Sequence, residues 1–169
     1  MGTETFAMIR RLRSWIRNEA GAAAGELALT LPLIGTLLFA IIKFGIVYNN
    51  YLALTAGVAN AARQFSIGRT VSTPASTAAS TLTSSAPNLA PASLSITATV
   101  AGNSACINAL APSGTTASDA TCLSQLTTAA GNAQSATFTA TYTVCDLVVM
   151  GVNFAPNCKL TASATELVE

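Results

Sequence analysis

Apolar positions follow three different patterns along the chain, and each pattern predicts a different element. From Ala20 to Ile42 they are nearly continuous, with Glu26 as the only charge. Leu27 to Ile42 is sixteen residues without a charge; Lys43 interrupts, and Phe44 to Tyr48 resumes the apolar character. With Lys43 snorkelling, Leu27 to Val47 supplies about 20 apolar positions, enough for one bilayer core. A buried core helix is the competing reading, but a globular remainder this polar could hardly enclose it. The run therefore predicts a transmembrane helix, with membrane lipid as its surroundings.

The second pattern is helical but one-sided. Phe44, Tyr51, Val58 and Phe65 recur every seven residues, with Val47, Leu54 and Ala61 interleaved three positions later. Asn49, Asn50, Thr55, Asn60 and Arg63 take the other side. This is an amphipathic continuation of the same helix. Ala24 to Phe65 would make a rod of roughly 60 Å, with a kink expected at Pro32. The stripe can pack on the chain's own C-terminal domain or on a partner helix, and the sequence leaves both open.

The third pattern has period two. Leu94, Ile96, Ala98 and Val100 alternate with Ser95, Thr97 and Thr99; Ala136 to Val144 places Phe138, Ala140 and Tyr142 inward against threonines; Leu160 to Val168 gives a third strand. Three half-buried strands predict an antiparallel sheet resting on the lower half of the long helix. Between helix and strands, residues 70–85 contain ten Ser/Thr in sixteen, which reads as a linker. Thr73-Pro74 followed by alanines, however, reads as an N-cap and first helical residue, for a short helix over 74–84. The fold class is α+β: a long N-terminal transmembrane helix extending into a small antiparallel β-sheet domain.

Composition narrows the chemistry. The 169 residues (17.1 kDa) are 51% hydrophobic and 9% charged, against about 25% charged in an ordinary soluble domain. Eight Lys/Arg against seven Asp/Glu leaves a net charge of +1, too weak a field for a nucleic-acid footprint. There is no histidine, which excludes the Ser-His-Asp triad, Cys-His pairs and His-ligated zinc or haem. Asp119, Asp146 and Glu166 are scattered, with no acid–base spacing, and the serines have no base to activate them. No catalytic residue, metal site or cofactor is indicated. The expectation is a structural protein rather than an enzyme.

The basic residues set an orientation. Arg10, Arg11, Arg13 and Arg17 precede the apolar run, while Arg63 and Arg69 lie well beyond it, so the N-terminus is expected in the cytoplasm. Within residues 6–17, Met8, Ile9, Leu12, Trp15 and Ile16 share one helical face and the arginines another. That pattern suits an interfacial helix on anionic lipid, although a disordered basic leader has the same composition. Arg10-Arg11 does not continue as a twin-arginine signal. A conventional signal peptide is also disfavoured. The apolar run is too long, and the best A-x-A site, Ala59-Asn60-Ala61, lies far past its end.

Four cysteines, Cys106, Cys122, Cys145 and Cys158, all follow the apolar run. Their spacings match neither a C-x-x-C redox motif nor a zinc ribbon. On an exported domain disulfides are permitted. Of the three possible pairings, Cys106–Cys122 with Cys145–Cys158 closes two local loops and is favoured. Each bridge could contribute about 3 kcal/mol by loop-closure entropy, which suits a small domain with few large apolar residues.

Glu26 is the informative charge. A carboxylate in a membrane segment costs about 2.5–3.5 kcal/mol even on lenient scales. It follows Gly21-Ala22-Ala23-Ala24-Gly25, and a cut after Gly21 would make it the fifth residue of the processed chain. The arrangement of basic leader, glycine at the cut, glutamate as fifth residue and apolar helix resembles the type IV pilin signature. More narrowly, residues 19–65 resemble the TadE family of pseudopilins from tight-adherence (Tad/Flp) pilus systems. The likeness rests on Gly21-Ala-Ala-Ala-Gly-Glu-Leu-Ala-Leu-Thr-Leu-Pro-Leu33, Leu37-Leu-Phe-Ala-Ile-Ile-Lys-Phe-Gly45 and Asn60-Ala-Ala-Arg63. Leu160-Thr-Ala-Ser-Ala-Thr-Glu-Leu-Val-Glu169 also looks like the family's closing strand, whereas residues 66–135 match little.

Three positions depart from the family pattern. Lys43 stands where an acidic residue is common, Leu27 replaces the usual aromatic after the glutamate, and Ala22 replaces the phenylalanine that opens many processed pilins. N-methylation is therefore not carried over.

The resemblance implies cleavage between Gly21 and Ala22 by a membrane prepilin peptidase, with this chain as substrate. It also implies other pilin-like subunits and the inner-membrane assembly machinery as partners. A free α-amino group is largely protonated at neutral pH, and an ammonium and a carboxylate approaching hydrocarbon cost less paired than apart. Pairing of Glu26 with a neighbour's new amine would set axial register. The expected organisation is a cleaved cytoplasmic leader (1–21), the helix and its extension (22–65), a Ser/Thr/Ala-rich connection (66–93) and a periplasmic β domain (94–169). Processing leaves four basic and five acidic side chains, a net charge of −1, so hydrophobic packing would carry assembly. The competing function is an uncleaved, single-pass, membrane-anchored exported binding module, which would keep Met1 or Gly2 at its terminus.

Overall fold

The computed structural model of the protein describes residues 19–103, 106–109, 119–145, 147–149 and 151–168. The arginine-rich segment and Asp146 lie outside them. The chain divides into two compact units, with the boundary between Ile42 and Lys43.

Helix α1 (Glu19–Ser66) runs unbroken past Pro32. Proline removes one amide donor, that which would bond the Ala28 carbonyl, and two threonines nearby fold their hydroxyls back onto carbonyls of the preceding turn. Thr30 Oγ1 donates to the Glu26 and Leu27 carbonyls (3.0 and 3.2 Å), and Thr36 Oγ1 to the Pro32 carbonyl (2.7 Å). Ser66 ends the helix with its hydroxyl on the Arg63 carbonyl (2.9 Å). A 3₁₀ turn, Gly68–Thr70, leads on to α2 (Pro74–Ser85), which starts at the proline as the sequence predicts.

The Ser/Thr-rich stretch is thus a helix rather than a linker. Its hydroxyls fold back onto carbonyls three or four residues earlier, as in Ser80 to Thr77 (2.8 Å) and Thr81 to Thr77 (2.9 Å). Ala75, Ala78, Ala79 and Leu82 form its buried face. Gly57 of α1 explains the close approach of the two helices: a Cβ there would sit 2.9 Å from Leu82 Cδ1 and 3.3 Å from the Leu82 carbonyl oxygen.

The sheet has the order β2 (Ile107–Ala109), β1 (Leu94–Val100), β3 (Ser135–Tyr142), β6 (Leu160–Leu167) and is antiparallel throughout. The three long strands, β1, β3 and β6, lie within two residues of the expected bounds. Register follows burial: Ile96 faces Ala140, Ala98 faces Phe138, and Phe138 faces Ala164. On the other face, threonines pair across strands, with Thr137 and Thr165 hydroxyls 2.9 Å apart and Thr141 and Thr161 3.2 Å apart.

Four elements were not legible in the alternation. They are the edge strand β2 (Ile107–Ala109), α3 (Asp119–Ala130), and the hairpin of β4 (Val148–Val149) and β5 (Val152–Asn153). Gly151, at φ +82°, makes the hairpin turn, a conformation that costs a glycine little. Helix α3 lies against α2, the 3₁₀ turn and β1. The core combines Leu54, Val58, Ala61 and Phe65 of α1 with Leu82, Leu126 and the inner face of the sheet.

Candidate functional site

The candidate site is α1 itself, whose two parts are built differently. Gly21 and Ala22 lie in its first turn, so the expected scissile bond has helical backbone. Glu26 follows and is exposed. From Leu27 to Ile42 the large apolar side chains are exposed on every side, Leu29 at 79% and Leu33 at 72% among them. The helix is long and apolar enough to cross a membrane, and none of its most apolar window is buried within the structure. That much uncovered hydrocarbon calls for lipid or other helices around it.

The amphipathic stripe is covered only in part. Leu54, Val58, Ala61 and Phe65 are fully or almost fully buried, and the Phe65 ring meets Phe138 of β3 with centroids 6.2 Å apart. Val47 is half-buried, whereas Phe44 and Tyr51 are exposed. The chain's own domain therefore covers the stripe from Leu54 onward and leaves its upper part open. The cause is spatial, because the spacing alone carries no mark of where the covering elements stop.

Both favoured disulfides are present, Cys106–Cys122 and Cys145–Cys158, each with Cα atoms 5.1 Å apart. The first ties β2 to α3 through two buried sulfurs, and the second closes the β4–β5 hairpin at its base. Among the described residues no group of three or more His, Cys, Asp or Glu could hold a metal ion.

The described carboxylates of the domain serve structure. Asp119 Oδ1 accepts the Ala75 and Ser76 amides (2.8 and 3.2 Å), and its Oδ2 accepts the Ser76 hydroxyl (3.3 Å). It thereby caps α2 from the first turn of α3, a place where the helix dipole also favours a negative charge. Thr73, the N-cap by position, makes no side-chain cap. Glu166 pairs with Arg63 at 3.7 Å across an exposed surface.

The described residues thus combine an exposed apolar helix with a small domain in which Asp119 caps a helix and Glu166 pairs with Arg63. Residues 21–63 match the family model described as TadE-like protein. The family is associated with Tad pilus-related function and is structural rather than catalytic. The match begins at the expected cleavage glycine, ends at Arg63 and includes none of the sheet. No curated protein and no solved structure matches the chain.

Proposed function

We propose that the protein is a minor pilin-like subunit, a pseudopilin, acting in Tad/Flp pilus assembly. The observation that carries this reading is the coincidence of the TadE-like match with a helix that has a carboxylate near its start and exposed apolar side chains all round. In this reading Leu27 to Val47 crosses the inner membrane once. The N-terminus is cytoplasmic and the disulfide-bonded domain periplasmic.

A prepilin peptidase hydrolyses the bond between Gly21 and Ala22, releasing the basic leader. The bond lies in helical backbone, so the first turn must open. Gly21 and Gly25 lower that cost, since glycine in a helix is about 1 kcal/mol less favourable than alanine. The new Ala22 ammonium of one subunit then pairs with Glu26 of its neighbour and fixes their axial register.

N-terminal sequencing of membrane-purified protein tests the first step. Ala22 is expected from cells that contain the peptidase and an intact leader from cells that lack it. An uncut terminus in both overturns processing and favours the anchored binding module. Glu26→Gln is expected to insert normally and to reduce pilus output; undiminished pili from that variant would remove the register role.

A further inference from the structure

Between the uncharged run and the buried stripe, α1 carries an exposed aromatic face. Phe44, Tyr48 and Tyr51 share it at helical spacing, and the first two rings stack with centroids 6.4 Å apart and planes inclined by 10°. Phe44 is 64% exposed, Tyr48 54% and Tyr51 41%, so the domain that buries Leu54 and Val58 does not reach them. We propose that this face sits at the membrane surface on the domain side, with Phe44 at the hydrocarbon edge and Tyr48 and Tyr51 in the headgroup layer, as the outer depth stop of the helix. The inference rests on the reading that the preceding run crosses the bilayer.

Polarity along the helix favours lipid over a partner helix as the occupant. No charge occurs from Leu27 to Ile42, about 24 Å at 1.5 Å rise per residue. Lys43 then brings the first charge after Glu26. Tyr48, Asn49, Asn50 and Tyr51 follow as the first run of polar groups. A tyrosine ring has an apolar body and a wet tip, which suits the boundary between acyl chains and water. A dry helix–helix contact would instead leave the phenol and amide groups seeking partners among apolar neighbours. At a bilayer surface they are satisfied by water and phosphate.

Tryptophan depth measurements test the assignment. Trp15 is the only native tryptophan, so Trp15→Phe gives a silent background for the full chain. Tyr48→Trp and, separately, Leu37→Trp are reconstituted in vesicles of zwitterionic and anionic phospholipid. The vesicles carry bromine either near the headgroup or near the acyl terminus. The expected result is several-fold stronger quenching at position 48 by shallow than by deep bromine, with the opposite order at position 37. Deep quenching at 37 with none at 48 overturns the depth stop while the membrane reading stands, and protection of 48 from aqueous iodide in that case identifies a protein partner as the occupant. Deep quenching at 48 also overturns it, because the face would then lie in hydrocarbon. Absence of quenching at both positions removes the membrane reading itself.

Discussion

The two parts of α1 are both rich in apolar residues, yet they relate to their surroundings in opposite ways. From Leu27 to Ile42 apolar side chains point in all directions and are exposed, whereas from Leu54 to Phe65 they form one stripe and are buried. A helix that is apolar all round needs an apolar medium, whereas one with a single stripe needs only a surface to lie on. The difference teaches that hydrophobic content does not assign a helix to membrane or core. Its angular distribution does. The Gly57–Leu82 approach and the Phe65–Phe138 contact show the second part fitted to one particular neighbour, whereas Gly25, Gly35 and Gly45 meet nothing within 4 Å of a built Cβ.

The contrast can be broken by paired truncations. Phe65→Ala empties a fully enclosed site and is expected to destabilise the domain by about 3–5 kcal/mol. Phe39→Ala, on the exposed run, is expected to stay within about 0.5 kcal/mol. Urea denaturation of the full chain in detergent, followed by near-ultraviolet circular dichroism, compares the two; equal losses would dissolve the distinction. A smaller effect is expected at the shared cap. Asp119→Ala strips α2 of an acceptor for two amides and should cost about 1–2 kcal/mol in the same assay. Asp119→Asn should recover part of that, because its amide oxygen can still accept. Smallest is the exposed pair that joins α1 to β6. Arg63→Ala should cost less than about 1 kcal/mol, and added salt should shrink even that. A larger, salt-insensitive loss would mean that the Arg63 stem packs on the sheet rather than pairing with Glu166.

Legibility in the sequence tracked the range of the signal. Strands β1, β3 and β6 could be read because alternation repeats over seven or eight residues. Strand β2 has only three residues, too few for any period to appear. Helix α3 did carry a signal, with Cys122, Leu126 and Ala129 buried at helical spacing after an acidic first residue. That spacing was hidden in a Ser/Thr/Ala composition that reads as loop, since these hydroxyl side chains compete with the helix for backbone partners. Asp119 was legible only as a stray carboxylate. Its role depends on amides 44 and 43 residues away in sequence. The apolar run of α1 was the more legible part, because its length and its lack of charge lie within one local segment.

What the chain determined alone was every feature carried by neighbours in sequence. These are the apolar length of α1, its change from all-round to one-sided patterning, the alternation of three strands and the short loops that pair the cysteines. Tertiary structure decided where the cover on α1 stops, which carboxylate caps α2, and that Phe44 and Tyr51 stand apart from the stripe they continue. The physical reason is that periodicity is written locally, whereas burial and capping depend on which distant element arrives. Between Tyr51 and Leu54 the sequence continues its stripe, and only the packed domain marks a boundary.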